Sequence, residues 1–341
     1  MKIAVDTMGG DQGPGPVCEA GVAFLESNPG VALILVGPRD SLEQHLLTAK
    51  GTPGSRLEIV NSPDFITPND EPVKAIRKKK DSSMVKCLRL VREAEADAMV
   101  SLGNTGALLA GAVLIAGRIK GLERPALAAE VPSMDGNSTL LLDLGASVDA
   151  RARNLRDYAT MGTIYARKVL NRPNPTYGLM NVGGESNKGD SLRREAFDLL
   201  ATMPRDLGRF VGNVEARDIF RSPADVVVTD GFVGNILLKS VEGAESALVE
   251  MMKSAFAGSP ITRLGGMIVG PSIRRRLSDF DYRNRGGAVL LGVRSIVVKC
   301  HGSSGQRAVF SALARARAAA EEGVPVIISD ALNERTEFDD D

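Results

Sequence analysis

The sequence predicts an α/β fold: an open, mostly parallel sheet covered by helices on both faces. Three observations predict it. Strand-like and helical segments alternate along the chain, the order that builds parallel crossovers. Most of the strand-like segments are continuous apolar runs, "VALILVG" and "ADVVVTD" among them, as expected of strands buried on both faces. The 341 residues are enough for a large core in two lobes around a cleft.

In chain order, strands are read at 2–6, 31–37, 56–60, 97–102, 125–131, 138–145, 175–182, 208–214, 224–230 and 294–300. Helices are read between them on apolar periodicity, at 15–27, 39–49, 72–94, 105–118, 149–170, 190–202, 233–257 and 303–322. The last has Ser303 or Ser304 as its expected cap and Gly323 as its stop. No repeat at solenoid periods and no low-complexity linker interrupts the pattern, and the acidic end 337–341 reads as solvated. The expectation is one α/β unit over 1–341. Its approximate lobes are 1–96 with 286–341, and 97–285 with a protruding helical segment at about 240–280.

Composition narrows the function. Lys+Arg and Asp+Glu are both 42, so no global charge argues for nucleic acid. The three cysteines and two histidines have no zinc-ligand spacing, and odd, scattered cysteines fit a reduced cytoplasmic protein. The amino terminus lacks the apolar core of a signal peptide. The longest apolar stretch, 107–117, falls far short of the ~20 residues that span a bilayer.

In open α/β folds ligands sit beyond the carboxyl ends of strands. Four strand ends here carry unusual chemistry: "DTMGGDQGPGP" (6–16), "GNTGA" (103–107), "DGFVGN" (230–235) and "CHGSSGQ" (300–306). Glycine lets backbone N–H groups approach a ligand, and the helix start behind each turn favours an anion. Any one such turn is commonly just a turn and cap; four together argue for a ligand cleft. Neither a G-x-x-x-x-G-K-[ST] loop nor a G-x-G-x-x-G after the first strand is present. Lys188, in "NVGGESNKGD", is either a point charge beside phosphate or a solvated loop lysine. His301 has the chemistry for proton transfer, and equally for a capping or core position. Its neighbour Cys300 could act with it only if the strand has already ended at Cys300, because adjacent strand residues face opposite sides.

Long stretches of the chain resemble the bacterial phosphate acyltransferase family. They are IAVDTMGGD (3–11), EPVKAIRKKKDSSM (71–84), SLGNTGALLAGA (101–112), RPALA (124–128), LDLGA (142–146), NVGGESNKG (181–189), GNVEARDIF (212–220), DVVVTDGFVGNILLKSVEG (225–243) and GGAVLLGV with HGSS (286–304). They follow the family's order over nearly the whole chain. Val289 stands where the family usually has proline, and Arg285 and Cys300 are also departures.

The resemblance implies a fold like that of isocitrate and isopropylmalate dehydrogenases and of phosphotransacetylase. It implies an acyltransferase that makes acyl phosphate from an acyl-carrier-protein thioester and inorganic phosphate, for phospholipid synthesis, without a cofactor or metal. It also implies a homodimer that associates peripherally with the inner face of the membrane. Phosphate is itself a nucleophile, so direct attack needs no acylated residue; the cleft must position it about 3 Å from the carbonyl carbon and stabilise the oxyanion. On this basis Lys188 is assigned to phosphate and Asn104 and Asn235 to positioning or the oxyanion. His301 is assigned to proton transfer or phosphate contact. Gly103, Thr105, Gly106, Gly302, Ser303 and Ser304 form the phosphate cradle, with Asp6 and Asp230 orienting neighbours. Two other readings are a metal- and nicotinamide-dependent dehydrogenase and a non-catalytic module that binds a carrier protein or lipid surface.

Two surface features complete the reading. Acyl carrier proteins are acidic, so a basic docking run is expected; Arg274, Arg275 and Arg276 supply one, and residues 77–80 another. The apolar, Gly- and Pro-rich segment 261–273 next to those arginines suits an anionic membrane surface, with Leu264, Met267, Ile268 and Val269 as the contact residues.

Overall fold

The computed structural model describes residues 1–49, 54–280 and 285–339, apart from the side chains of 274–276, 278–280 and 335–339. The chain opens with β1 (Lys2–Asp6), α1 (Gly15–Ser27), β2 (Ala32–Gly37), α2 (Arg39–Thr48) and β3 (Leu57–Asn61). It continues with α3 (Pro72–Lys78), α4 (Ser83–Arg92), β4 (Ala98–Ser101), α5 (Thr105–Gly111), β5 (Ala126–Pro132) and β6 (Ser138–Leu142). Then come α6 (Ala152–Lys168), β7 (Thr176–Asn181), α7 (Ser191–Ala201), β8 (Arg209–Glu215) and β9 (Val226–Val228). A helical hairpin follows, α8 (Gly231–Ala257) and α9 (Pro260–Phe280). The last elements are β10 (Ala288–Leu291), β11 (Ile296–Lys299), α10 (Gln306–Glu321) and α11 (Val324–Asp339).

All the strands join one 11-stranded sheet in the order β3-β2-β1-β4-β11-β10-β5-β6-β9-β7-β8. Pairing is parallel except at β11–β10, β10–β5 and β5–β6. One half (β3, β2, β1, β4, β11) therefore runs opposite to the other (β6, β9, β7, β8). Register places their carboxyl ends together. Lys299 is level with Ala288, Ala288 with Ala129, and Ala129 with Leu141. Beyond that level β11 and β6 both stop, from opposite directions, and their loops share the middle of the sheet. On the same row, Asp6 lies beside Ser101 and Ser101 beside Lys299.

The continuous apolar runs are explained by burial on both faces. Ile3, Val5, Leu33 and Leu35 meet Phe24, Leu25 and Leu313 on one side. Ala4, Ile34 and Val36 meet Ile76, Met84 and Leu88 on the other. In the second half, Leu141, Met180 and Val227 pack with Val233 and Leu237 of α8.

The elements differ from the sequence reading in five places. The helix expected over 72–94 breaks at 79–82, where Lys79 turns its Nζ to Asp70 (2.8 Å) and to Phe65 O; Ser82 then starts α4. The helix over 105–118 becomes a π-turn at Ala112–Ala116 and stops at Gly117, at φ 88°. The cap of α10 is Gly305, not Ser303 or Ser304, although Gly323 (φ 61°) does end it. β10 is a strand the pattern missed, because four apolar residues between glycines carry no period. α9, within the segment read as helical at about 240–280, runs on through Pro271. The terminal helix α11 was also missed; residues 340–341 of the acidic end lie outside the described residues.

Candidate active site

The four strand-end loops do converge. A Cβ added to Gly9 would lie 2.7 Å from Gly103 Cα, so the loop after β1 rests on the loop after β4. Asp11 N–H donates to Gly302 O at 2.8 Å, tying in the loop after β11. The fourth, at the start of α8, reaches the same place from the other half of the sheet. With the loop after β1 supporting them from behind, the other three contribute residues to the lining of a cavity of about 320 Å³. Its polar lining includes Thr105, Asn235, Lys239, Lys299 and His301, and its apolar wall is Leu109, Leu127, Leu144 and Leu238.

Glycine brings α8 into position by sterics. A Cβ at Gly231 would lie 2.6 Å from Asp143 Oδ2 and from Ser147 O, and one at Gly234 would run into the Asp143 carbonyl. With neither side chain present, α8 seats on the loop after β6 and Asn235 comes to rest over Gly145. Asp143 organises that loop: its carboxylate accepts from the N–H groups of Leu127, Gly145, Ala146 and Ser147 at 2.7–3.1 Å. Burial pushes its carboxyl up to about 6, against the pull of those four bonds. Among the described residues the Asn235 amide has no hydrogen-bond partner, and it lines the cavity.

His301 is also fixed. Ser303 N–H donates to its Nδ1 at 3.2 Å and Ser303 Oγ lies 2.8 Å from the same nitrogen. Nδ1 is thus the acceptor, and the neutral ring carries its hydrogen on Nε2. Ser304 is buried, and its Oγ has no partner among the described residues; its N–H donates to His301 O. Gly302 accepts from Asp11 N–H at its carbonyl and does not line the cavity.

Other predicted residues hold structural posts. Asn104 caps α5, accepting from Ala107 N–H at 3.0 Å, and donates from Nδ2 to Thr67, Pro68 and Asp70 carbonyls at 3.1–3.4 Å. Its amide is fully committed, so it clamps the loop 67–70 to the cleft rather than facing it. Gly103 donates its N–H to Ser101 Oγ at 3.1 Å, which removes it from the cradle; Thr105 and Gly106 remain on the lining. Asp6 accepts from Ser101 Oγ at 2.6 Å and Met8 N–H at 3.3 Å, and burial raises its pKa. Asp230 caps α8 through Val233 N–H at 3.0 Å and pairs with Arg193.

Lys188 is not brought to this cleft. It is exposed on the turn between β7 and α7, and its neighbours Gly189 and Asp190 line a second cavity of about 710 Å³ with Arg193 and Arg217. The reason is the strand order: β7 lies beyond β9, on the far side of β6 from the cavity.

Sequence reasoning missed Lys299, Lys239, Glu242 and the four leucines of the wall. Lys299 had a signal, a charge closing the apolar strand "IVVK" at its carboxyl end. Cys300 does follow the end of β11, yet it is buried and its thiol is pushed up to about 12. A thiol so held is no nucleophile.

Leu264, Met267, Ile268 and Val269 are all exposed on α9, Met267 to 69% and Ile268 to 72%. α9 folds back on α8 where Gly266 meets Phe256. Leu248 and Met251 of α8 are exposed too. Arg274, Arg275 and Arg276 have side chains outside the described residues. Among the described residues no helix is long and apolar enough to cross a membrane, and no group of three His, Cys, Asp or Glu side chains is placed to hold a metal.

Comparison with known proteins agrees with this geometry. A family model described as "Fatty acid synthesis protein" matches residues 1–327. A phosphate acyltransferase of Brevibacillus brevis is 45% identical over 336 residues, 98% of each chain. One of Bacillus subtilis is 41% identical over 334 residues, again 98% of each chain. The fold is shared with a phosphotransacetylase from Streptococcus pyogenes, with a TM-score of 0.61 at 16% identity over 94% of each chain.

Proposed function

The chain belongs to the fatty acid synthesis protein family, and on that premise we propose that it is a phosphate acyltransferase that moves a long-chain acyl group from an acyl-carrier-protein thioester to inorganic phosphate, for phospholipid synthesis. The observation that carries this reading is the cleft itself. Asn235 and His301 stand over a leucine-walled cavity between two opposed sets of strand ends. It has the size for phosphate and the end of an acyl thioester.

The step is a single displacement. A phosphate oxygen attacks the thioester carbonyl carbon, the C–S bond breaks, and the products are acyl phosphate and the carrier thiol. One proton must pass from hydrogen phosphate to sulfur; His301 relays it by giving its Nε2 hydrogen to the departing sulfur and taking the phosphate proton on Nε2 in its place. The Asn235 amide donates to the oxyanion as the carbonyl becomes tetrahedral. Thr105 and Gly106, at the start of α5, and the Ser303–Ser304 turn hold phosphate; Asp6 and Asp230 position the strand end and α8 behind them. Lys188 stands outside this assignment. The leucine wall excludes water, which protects the acyl phosphate from hydrolysis.

Carrier docking is assigned to Arg274, Arg275 and Arg276, the basic run that suits an acidic carrier. The exposed face of α9 at Leu264, Met267, Ile268 and Val269 would rest on the anionic inner face of the cell membrane, where the product is used. The working unit is a homodimer.

The test is phosphate-dependent release of free thiol from long-chain acyl carrier protein. Thiol release that proceeds without phosphate, with an acyl mass left on the enzyme, would replace direct attack by a double displacement. No release under any phosphate concentration would sink the reading.

A further inference from the structure

Lys299 is the buried charge that the strand ends leave unanswered. It closes β11, on the row of Asp6 and Ser101, and is only 8% exposed. Its Nζ donates to two main-chain carbonyls, Leu102 O at 3.4 Å and Cys300 O, which lie just past the carboxyl ends of β4 and β11. An ammonium has three N–H donors, so one is left over, and Lys299 lines the cavity.

A charge this deeply buried is ordinarily paired. Among the described residues no carboxylate stands at ion-pair distance from this Nζ. Asp6, the nearest acid by register, is turned to Ser101 Oγ at 2.6 Å. Asp11 acts on Lys299 only by longer-range attraction. The other lysine on the lining, Lys239, is already paired with Glu242 at 2.7 Å. Lys299 is therefore the one cavity-lining ammonium, among the described residues, that lacks an anion of its own.

We propose that Lys299 is the residue that binds the phosphate nucleophile, its third N–H donating to a phosphate oxygen at the carboxyl ends of β4 and β11. This rests on the acyl-transfer reading for the role of phosphate as nucleophile. The placement has a mechanistic use. Thr105, Gly106 and His301 line the same cavity, so phosphate held by Lys299 lies between the helix start of α5 and the group that takes its proton. Asn235 faces this spot from the other half of the sheet, where the carbonyl oxygen of the thioester belongs. Phosphate also supplies the missing counter-charge: the cost of keeping an ammonium dry is offset only when the substrate arrives, which favours binding of an anion over a neutral molecule of the same size.

The decisive measurement is phosphate binding without any acyl donor, by titration calorimetry on the full chain. Lys299→Met is expected to weaken the phosphate Kd at least about tenfold. Its unfolding midpoint should equal or exceed that of the parent protein, because a dry ammonium is removed. A lysine with a merely structural role would do the opposite: its loss would lower the midpoint and leave phosphate affinity as it was. A second arm needs no variant. Acetic anhydride labelling of Lys299 in the parent protein, followed by peptide mass spectrometry, should be slowed by phosphate and not by chloride at equal ionic strength. An unchanged Kd in a folded Lys299→Met protein, or labelling indifferent to phosphate, overturns the proposal. The acyl-transfer reading fails separately: the parent protein would then bind phosphate through Lys299 and still release no thiol from the acyl carrier protein.

Discussion

The two cavities at the carboxyl ends of the strands differ in how their charges are settled. Around the β7–β8 cavity the arginines are paired within the protein. Arg193 reaches both Asp190 and Asp230, and Arg217 meets Glu215 and Asp218. Around the β4–β11–β6 cavity, Lys299 has only carbonyls and Asn235 has no partner among the described residues. A site whose charges are already neutralised holds the fold; a site with a donor left over is ready for a ligand. Volume points the other way, since the paired cavity is the larger of the two.

Four measurements break or sharpen that contrast. The largest expected effect is on the paired side. Arg193→Ala leaves Asp230 buried without its cation, and losing one partner of such a pair costs about 3–5 kcal/mol. Urea unfolding should read a loss of that size; less than about 1 kcal/mol would mean the pair is not what holds α8 to α7.

Next come the chemical groups of the other cavity. His301→Ala and Asn235→Ala should each lower kcat by roughly 10²-fold while leaving the unfolding midpoint nearly unmoved. A fall in stability as large as that of Arg193→Ala would place these residues with the structural set instead.

The glycines give a third comparison. Gly234→Ala drives a methyl group into the Asp143 carbonyl, an overpacking cost of about 1–3 kcal/mol, and it displaces Asn235 as well, so activity should fall further than stability does. Gly184→Ala, on the β7–α7 turn where a Cβ meets nothing within 4 Å, should stay within about 0.5 kcal/mol. Equal losses at the two sites would remove the steric account of the α8 seat.

The smallest effect is in pH. Burial holds the Lys299 ammonium down to about 8 from the ordinary lysine value of 10.5, opposed by Asp6 and Asp11, while Lys239 adds to the lowering. Below about pH 8 the ammonium is present and binds phosphate. As pH rises through 8 the KM for phosphate should rise, approaching tenfold per unit. Stability has the opposite sign. Between about 8 and 10.5 the unfolded chain keeps a proton that the folded one has lost, so the contribution of this group to stability increases with pH there. A phosphate KM flat from about pH 7 to 9.5 would show that Lys299 does not set it.

Much of this architecture is legible in the residues alone. The runs KIAVD, ALILVG and VVV announce strands because both faces of each are buried, and α1 is readable to the residue at 15–27 because it presents one apolar face to the sheet. The four glycine-rich strand ends are recognisable as a set, since glycine and helix starts are local features. Individual posts are harder to read. Asn104 has the chemistry for an oxyanion, and nothing nearby in sequence reveals that the carbonyls of Thr67, Pro68 and Asp70 consume its amide. Lys188 sits in a loop that looks like the others, and only the order β6-β9-β7 removes it from the cavity.

The sequence by itself determined the elements and the kind of chemistry: apolar period, glycine placement and capping residues act within a few positions, so a local reading recovers them. Only the tertiary structure decided which residues meet. Register sets Lys299 beside Ser101 and Asp6, and opposed strand directions bring Asn235 over Gly145. These are sums of many weak long-range contacts across a sheet, and no short segment contains them. The charge left over at Lys299 is therefore a property of the assembled fold, although the lysine itself is plain in the sequence.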